Sequence, residues 1–464
     1  MFNLFVPILI AQTPPAPTPV EVVRPQTIRP LPGEIDSIPM FNSNSPELVQ
    51  TEGILLSTFP PDGMESPSAH LNFAFDGRFD VFAHHVYRAP SDDELTSLYL
   101  GVILYNPGDR PVTVDILQAA SYLSQPDAPF VTLPSWVENP QGDIYAGPGS
   151  RVMSDILRGQ RQSDIPPQVV IPARDYAVLL NVPIPVATLD PPLNGRSTFM
   201  RVRSTNPVYA ASLAMRARLD ETGNETAPAL DDWVNVLESG GLAGARDRSP
   251  TPPDQTTGQV IYGRVAGISQ GSQWQTQLVD DPEPADRDAM VLTIPDPGDR
   301  ISYGISTLLA GQMGTGQIQS APMLVRYPDT AYQAHGNYAV EYRLTLPLVN
   351  PTRQDQRVTV ALETPIKEDD LSQDGLQFFE PLPPQVFFRG TVRVRYTDDA
   401  GLPRTRYVHL VQRRGQMGAP LVSLTLPGLT SESDRPPIRL VQVDFLYPPD
   451  STPPQVLTIH TTRP

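Results

Sequence analysis

Three side chains near the start of the sequence have the types that bind zinc. His70, Asp80 and His84 lie close together in the chain, and His85 follows directly. Neutral imidazoles and a carboxylate form a ligand set that Zn²⁺ accepts. However, residues 79–87 alternate like a strand, in which neighbouring side chains point to opposite faces, so only one of the two adjacent histidines can join His70 at a metal. We therefore favour hydrogen-bonded structural histidines and keep His70, Asp80 and His84 as the candidate zinc ligands.

Residues 267–271 read Gly-Ile-Ser-Gln-Gly, the pattern of the nucleophile elbow of serine hydrolases. An elbow requires a strained turn between a strand and a helix, which exposes the Ser269 hydroxyl beside the helix N-terminus. Residues 272–279 alternate like a second strand instead, and the partners of a triad occur downstream only as scattered residues such as Asp296 and His335. The sequence therefore predicts a glycine-rich hairpin turn here and no catalytic residue.

Two further patterns have the residue types for a phosphate or calcium site. Gly311, Gly314 and Gly316 cluster, but the Lys-Ser/Thr pair of a phosphate loop is missing, so we expect a turn. The acidic stretches 280–288 and 368–374 offer oxygen ligands for Ca²⁺ but lack EF-hand spacing, so we expect solvated loops. The sequence thus predicts no cofactor, with zinc and calcium as the alternatives.

Composition limits the binding partners and the kinds of site that the chain can form. The formal net charge is −17, with 51 acidic against 34 basic residues, which argues against binding nucleic acid through its phosphates. Lys367 is the only lysine among those basic residues. The chain has no cysteine, which excludes disulfides, thiolate metal sites and cysteine nucleophiles. No run approaches the ~20 apolar residues of a membrane-spanning helix, so we expect no integral membrane segment.

Short apolar runs with period-2 alternation indicate strands along most of the chain. The clearest hairpin pairs residues 391–396 with 404–411 across a turn that contains Asp398, Asp399 and Gly401. Proline accounts for 55 of 464 residues, which suits loops and strand starts rather than helix interiors. The predicted fold is mainly β, with two or more antiparallel β-sandwich-like modules, one or two short helices and long proline-rich loops.

Two segments carry a helical pattern instead. Ser150 is a candidate N-cap for a helix that ends at Gly159. Pro228 is a candidate first residue for a second helix that stops at Gly240-Gly241. The apolar residues that would face the core are Val152, Met153, Ile156 and Leu157 in the first helix and Leu230, Trp233, Val234 and Leu237 in the second.

Composition also divides the chain into segments. Residues 1–11 form a short apolar segment that is typical of a secretory signal peptide, and the alternative is a buried N-terminal strand. Residues 12–32 form a proline-rich arm. The charged, proline-rich stretch 246–257 is the predicted linker between a β-sandwich-like module at 33–245 and a second β-rich module at 258–464.

A weak internal repetition links these two modules. In each, an apolar strand enters an Asn-Pro turn, at Asn106 and at Asn350, and the chain leaves through a Val-Thr-Val strand. Duplication of one module and convergence on the same turn chemistry both explain this pattern.

Six phrases of the sequence are long enough to be specific. They are FNSNSPELV (41–49), EGILLSTFPP (52–61), GRFDVFAHH (77–85), RYPDTAYQAHGNY (326–338), FRGTVRVRY (388–396) and YPPDSTPPQV (447–456). Together they resemble an uncharacterised family of exported cyanobacterial proteins, the domain of unknown function 3370 family. The resemblance implies export to the periplasm or cell surface. It implies no activity and assigns no functional residue.

We therefore expect a non-catalytic β protein of the periplasm, the outer-membrane surface or the extracellular space. It would bind or scaffold a surface component, either a polysaccharide or an envelope protein, through loops at the ends of its sandwiches. The alternative is a secreted hydrolase whose histidine and carboxylate groups come from distant loops. A deep pocket that brings titratable groups within hydrogen-bond reach would favour the hydrolase.

Overall fold

The computed structural model describes residues 18–255, 258–281, 290–430 and 436–462. The expected signal segment, residues 1–11, lies outside these ranges, as does most of the acidic stretch 280–288. The first half contains the strands β1 Val20–Pro25, β2 Thr27–Arg29, β3 Pro39–Ser43, β4 Leu48–Val49, β5 Gly53–Ser57, β6 Arg78–Arg88, β7 Leu98–Tyr105, β8 Val112–Leu123, β9 Trp136–Glu138, β10 Gln168–Ile171, β11 Tyr176–Ile184, β12 Leu193–Ser204, β13 Tyr209–Arg216, β14 Arg218–Leu219 and β15 Glu225–Thr226.

The second half is also built mainly of strands. They are β16 Ala266–Gln270, β17 Gln273–Gln277, β18 Leu292–Thr293, β19 Arg300–Ile305, β20 Ala321–Arg326, β21 Gln333–Ala334, β22 Glu341–Val349, β23 Gln356–Glu363, β24 Gly375–Glu380, β25 Val386–Thr397, β26 Pro403–Arg413, β27 Val422–Leu426, β28 Arg439–Leu446 and β29 Gln455–Thr461. The helices among the described residues are α1 Pro148–Leu157, α2 Leu230–Ser239 and the 3₁₀ turns Pro67–Ala69 and Ser372–Asp374. The prediction of a mainly β fold with mostly antiparallel sheets is confirmed. None of the helices in these ranges is long and apolar enough to cross a membrane.

The strands of the two halves are arranged alike, with one strand of the second arrangement, β2, supplied by the proline-rich arm at the start of the chain. One sheet runs in the order β10-β8-β12-β6-β3, and another runs in the order β27-β23-β29-β19-β2. In each order the first three pairings are antiparallel and the last is parallel. Each half also has a second sheet. β11 pairs antiparallel with β7 in the first half, and β28 pairs antiparallel with β22 in the second. Seven strands thus correspond in pairing and in chain order, which favours duplication of one sandwich module.

A buried asparagine fixes the Asn-Pro turn of the first half. Asn106 Nδ2 donates hydrogen bonds to the carbonyl oxygens of Arg110 at 2.7 Å and Ile171 at 3.2 Å. Its Oδ1 accepts from the backbone N–H of Gly108 at 2.9 Å. The side chain therefore joins the turn that follows β7 to the end of the edge strand β10.

Asn350 makes the equivalent contacts in the second half. Its Nδ2 donates to the carbonyl oxygens of Gln354 at 2.8 Å and Leu426 at 3.0 Å, and its Oδ1 accepts from Thr352 N–H at 3.0 Å. The resemblance between the two turns thus extends from the sequence to the hydrogen bonds of individual atoms.

Replacing Asn106 or Asn350 by alanine is expected to lower the free energy of unfolding by about 2–3 kcal/mol, because buried carbonyl groups lose their donors. Urea unfolding followed by tryptophan fluorescence measures this loss. The exposed Asn206 provides the control, since its replacement by alanine should change stability by less than about 0.5 kcal/mol. A loss at one of the two buried asparagines and none at the other would contradict their equivalence.

Strands also cross between the two predicted modules. β16 pairs with both β3 and β20 and so extends the first-half sheet, whereas β9 pairs with β26 of the second half. The proline-rich arm adds β1 to β24 and β2 to β19. The boundary at 246–257 stays a prediction, and the sheets on its two sides share strands.

Helix α1 joins the two halves. It contacts β8 and β12 of the first half and β25 and β28 of the second, and its four predicted core residues are buried. The prediction of Ser150 as N-cap was wrong: the helix begins at Pro148, because proline suits the first helical turn, and Ser150 lies inside that turn. The backbone N–H of Ser150 donates to Asp450 Oδ2 at 3.1 Å, a partner that no local pattern indicates.

Helix α2 confirms the second predicted helix, which ends before Gly240. The prediction of Pro228 as its first residue was wrong: the helix begins at Leu230, because Asp232 Oδ2 accepts from the N–H of Ala229 and fixes the start there. Its Trp233 is fully buried. The indole packs on Gly101 of β7, where an added Cβ would lie 2.6 Å from the ring. A glycine at this position is therefore what lets the helix cover the sheet.

Candidate ligand-binding cleft

The histidines that were candidate zinc ligands each bond to a serine. His70 Nδ1 lies 2.8 Å from Ser57 Oγ, and His84 Nδ1 lies 2.8 Å from Ser197 Oγ. Burial lowers the pKa of both imidazoles, that of His84 to about 3. His85 is hydrogen-bonded elsewhere, as its position on the opposite face of β6 requires.

The third candidate, Asp80, is bonded to Arg78 and to the Ser272 hydroxyl. Within the ranges that the structure describes, no three His, Asp or Glu side chains are grouped so that they could hold a metal ion. The zinc hypothesis for His70, Asp80 and His84 therefore has no geometric support in these ranges.

The Gly-Ile-Ser-Gln-Gly pattern does not form a nucleophile elbow. Ser269 is 2% exposed and lies within β16, and the chain continues into β17 rather than into a helix. The hairpin interpretation was wrong, however, because β16 pairs with β3 and β20 whereas β17 pairs with β22. Gly271, with φ +108°, forms a corner between two sheets.

The clustered glycines form a turn, as predicted, and this turn packs against the acidic loop 368–374. The N–H of Gly311 donates to Asp369 Oδ1 at 2.6 Å, and Ser372 Oγ donates to Glu368 Oε1 at 2.6 Å. A Cβ on Gly311 would lie 2.9 Å from Lys367 Cε. Contacts between the glycine turn and the acidic loop therefore fix the position of Lys367, the only lysine of the chain.

Lys367 lies in a cleft formed by two adjoining cavities. The first has a volume of about 210 Å³ and the second about 430 Å³, and Tyr262 and His335 line both. The first is also lined by Asn42, Asn44, Gly263, Arg264, Val265, Leu308, Ala334, Tyr338, Lys367, Thr452 and Pro453. The second is also lined by Thr251, Pro253, Val260, Ile261, Leu309, Ile318, Tyr332 and Gln333. Both predicted modules contribute to this cleft, a common position for a ligand site.

Three titratable side chains meet where the cavities join. Lys367 Nζ donates to Tyr262 Oη at 2.9 Å, and the backbone N–H of Ala310 donates to the same oxygen at 3.1 Å. The ring centroids of Tyr262 and His335 are 4.6 Å apart, and His335 Nδ1 lies 3.3 Å from Ser320 Oγ. Tyr262 accepts twice, so its own O–H proton is available to a ligand.

Burial sets the charge states of these groups. It lowers the pKa of His335 to about 4, with a further contribution from the charge of Lys367, so His335 is neutral at pH 7. Burial also raises the pKa of Tyr262. It lowers the pKa of Lys367, and the charge of the nearby Asp369 opposes this second shift. The cleft therefore presents one ammonium group beside a neutral phenol and a neutral imidazole.

Two asparagines supply polar groups on the wall of the first cavity. Asn42 and Asn44 are 4% and 5% exposed, and the Oδ1 of each is buried without a hydrogen-bond partner. Arg264 lines the same cavity but pairs with Glu47, and its Nε lies 3.9 Å from Asp247 Oδ1. Buried polar atoms without partners are rare in folded proteins, so the two amides are suited to a ligand with hydroxyl groups.

The lining is better suited to binding than to hydrolysis. Neither cavity has an aspartate or glutamate among the lining residues that the structure describes. Glycoside hydrolysis uses two carboxyl groups that flank the scissile bond. What the lining offers instead is aromatic rings, amide groups and two cations, of which Arg264 is paired with Glu47.

Sequence reasoning did not identify this cleft. It considered His335 only as a scattered residue, and it noted Lys367 only for being the sole lysine. Tyr262, Asn42 and Asn44 carried no pattern that suggested a site. A single lysine in a chain of 464 residues was the one signal in the sequence that led toward it.

Comparison with protein families finds a match over residues 26–461. The matching model is described as a protein of unknown function, DUF3370. No curated protein matches the chain.

Proposed function

The chain belongs to the DUF3370 family, and on that premise we propose that it is a non-catalytic β protein of the cell envelope or extracellular space that binds a surface polysaccharide. Export is supported by the apolar run at residues 2–10, and the absence of cysteine is compatible with an oxidising compartment. The family has no known function that could identify the ligand, so the ligand is argued from the cleft.

The lining of the cleft is the observation that carries this proposal. Aromatic rings of Tyr262, Tyr332 and Tyr338 line the cleft. His335 packs against one side of the Tyr262 ring and Arg326 covers one side of the Tyr332 ring, so sugar rings can pack on the opposite faces. The free Oδ1 atoms of Asn42 and Asn44 accept hydrogen bonds from hydroxyl groups. The larger cavity, at about 430 Å³, falls within the usual range of ligand pockets.

The test begins with a glycan array and continues with calorimetry on the ligand found. Tyr262→Ala is expected to weaken binding by about 10-fold or more, because a stacking face and a hydroxyl are lost together. Tyr262→Phe, which keeps the ring, should weaken it by less. Phe130, which is 55% exposed and outside the cleft, provides the control: Phe130→Ala should leave affinity unchanged.

Two results would contradict the proposal. Unchanged affinity in a folded Tyr262→Ala protein would place the ligand elsewhere. Release of shorter saccharides on incubation with the ligand would support the secreted hydrolase, with Lys367, Tyr262 and His335 as the first groups to replace.

A further inference from the structure

Lys367 is exceptional among the cations of this protein. The chain carries a net charge of −17, and its other basic residues are arginines, many of them paired with carboxylates. In the part of the chain that the structure describes, no carboxylate oxygen lies within 4.0 Å of Lys367 Nζ, whose hydrogen bond goes to the neutral Tyr262. The other cation of the cleft, Arg264, is paired with Glu47. Of the two cations that line the cleft, Lys367 is therefore the one without a carboxylate partner among the described residues.

The donors around Lys367 are arranged for an anion. An ammonium group has three N–H donors, and the hydrogen bond to Tyr262 uses one of them. Tyr262 Oη accepts from Lys367 and from the N–H of Ala310, which leaves its hydroxyl proton to donate to a ligand. Two adjacent donors, one of them charged, suit the oxygens of a carboxylate or a sulfate group.

Partial burial makes an anion a more favourable partner than water for the ammonium group of Lys367. A partly buried ammonium group has lost part of its hydration, and a bound anion offsets that loss. Asp369 raises the pKa of Lys367 through its charge, but neither of its oxygens lies within 4.0 Å of Nζ, and its Oδ1 accepts from the N–H of Gly311. The contact between Gly311 and the Lys367 stem fixes where the charge lies.

The acceptors in the same cavity point to a second feature of the ligand. The Oδ1 atoms of Asn42 and Asn44 are buried acceptors without a partner in the wall of this cavity, and hydroxyl groups that reach them would satisfy them, whereas anions would not. A ligand that satisfies the whole cavity carries an anionic group and hydroxyl groups on one unit. We propose, on the basis of the proposed function, that the first cavity is an acidic-sugar subsite. In this subsite Lys367 and Tyr262 bind the carboxylate or sulfate of a polysaccharide. Asn42 and Asn44 bind its hydroxyl groups.

Calorimetry with matched ligands tests this subsite. The probes are a short oligogalacturonate, its neutral methyl ester, which keeps the same sugar backbone, and a sulfated oligogalactan. The wild-type protein is expected to bind one of the two acidic probes about 10–100-fold more tightly than the ester, the gain of a charge-assisted hydrogen bond. Whether the carboxylate or the sulfate is preferred distinguishes the two sources of the anion.

Variants then assign the preference to Lys367. Lys367→Gln should lower the affinity for the acidic probe to about that for the ester and so abolish the preference, whereas Lys367→Arg should retain part of it. Arg203→Gln makes the same change in net charge at a 60%-exposed side chain outside the cleft and should have no effect. If Lys367→Gln does not fold, acetylation of the folded wild-type protein removes the same charge, because the chain has no other lysine.

The possible failures can be told apart. Equal affinity of the wild-type protein for acid and ester, or an unchanged preference in Lys367→Gln, would overturn the anion subsite and leave polysaccharide binding standing. Absence of binding to all three probes and to the glycan array would overturn both.

Discussion

Replacing Asp444 by alanine is expected to lower the free energy of unfolding by about 3–5 kcal/mol, because two guanidinium groups lose their buried counter-charge. Asp444 is 2% exposed, and its Oδ2 accepts from Arg393 Nε and from an Arg395 terminal nitrogen, both at 3.0 Å. Arg393 also donates to the carbonyl oxygen of Leu157, the last residue of α1. The carboxylate thus helps to hold the helix that joins the two halves.

The measurement is urea unfolding monitored by tryptophan fluorescence. Asp115→Ala is the matched control, because the pair of Asp115 with Arg203 is exposed and should contribute about 0–1 kcal/mol. A loss below 1 kcal/mol for Asp444→Ala would show that the buried network adds nothing beyond an ordinary surface pair.

Lowering the pH from about 7.5 to about 5 is expected to remove several kcal/mol of stability. The cause is a set of buried imidazoles whose pKa is lowered by desolvation. The pKa falls to about 3 in His84 and to about 4 in His85, His335 and His409. In the unfolded chain the same groups titrate near pH 6.5.

The sign follows from which state takes up protons. Each of these histidines is neutral in both states above pH 6.5, so its contribution to stability is complete there. Below it the unfolded chain binds protons that the folded protein does not, at a cost of about 2 kcal/mol per histidine near pH 5. Asp450 acts in the opposite direction, because burial raises its pKa to about 6 and the folded protein therefore gains from its protonation.

Urea titrations across this pH range measure the loss. His85→Gln should shrink the difference between the two pH values by about 2 kcal/mol, whatever it costs at neutral pH, since glutamine does not titrate. Stability that stays constant between pH 7.5 and 5 would show that these imidazoles are protonated in the folded state.

The parts of the fold that the sequence predicted are those with a local cause. The β25–β26 hairpin follows from alternation in residues 391–396 and 404–411 and from the turn residues between them, and its register pairs Thr391 with His409. Both helices appear where apolar periodicity and a terminal glycine indicated them. Their capping was less predictable, because Asp450 reaches α1 across 300 positions of sequence.

The cleft could not be predicted because its causes are not local. Asn42 lies in β3, Tyr262 precedes β16, His335 follows β21 and Lys367 follows β23. These segments meet because β16 pairs with β3 and β20, and no periodicity specifies the order of strands in a sheet. Period-2 patterns indicate which face is buried, whereas a site at the junction of two sandwiches depends on long-range pairing.

The cleft lies beside strands that the two halves do not share. β16, β20 and β21 have no counterpart among the seven corresponding strands and extend the first-half sheet beyond β3. β21 contributes Gln333 and Ala334 to the cleft, β3 contributes Asn42, and the other lining residues come from segments between strands.

One nuclear magnetic resonance experiment tests the central claim that the cleft around Tyr262 and His335 binds the ligand. Protein labelled with ¹³C at the lysine ε-carbon has a single lysine signal, because Lys367 is the only lysine. We expect this signal to shift and saturate as a bound oligosaccharide is added, at the concentrations at which calorimetry detects binding. A signal that stays in place while calorimetry shows saturation would mean that the ligand binds outside the cleft.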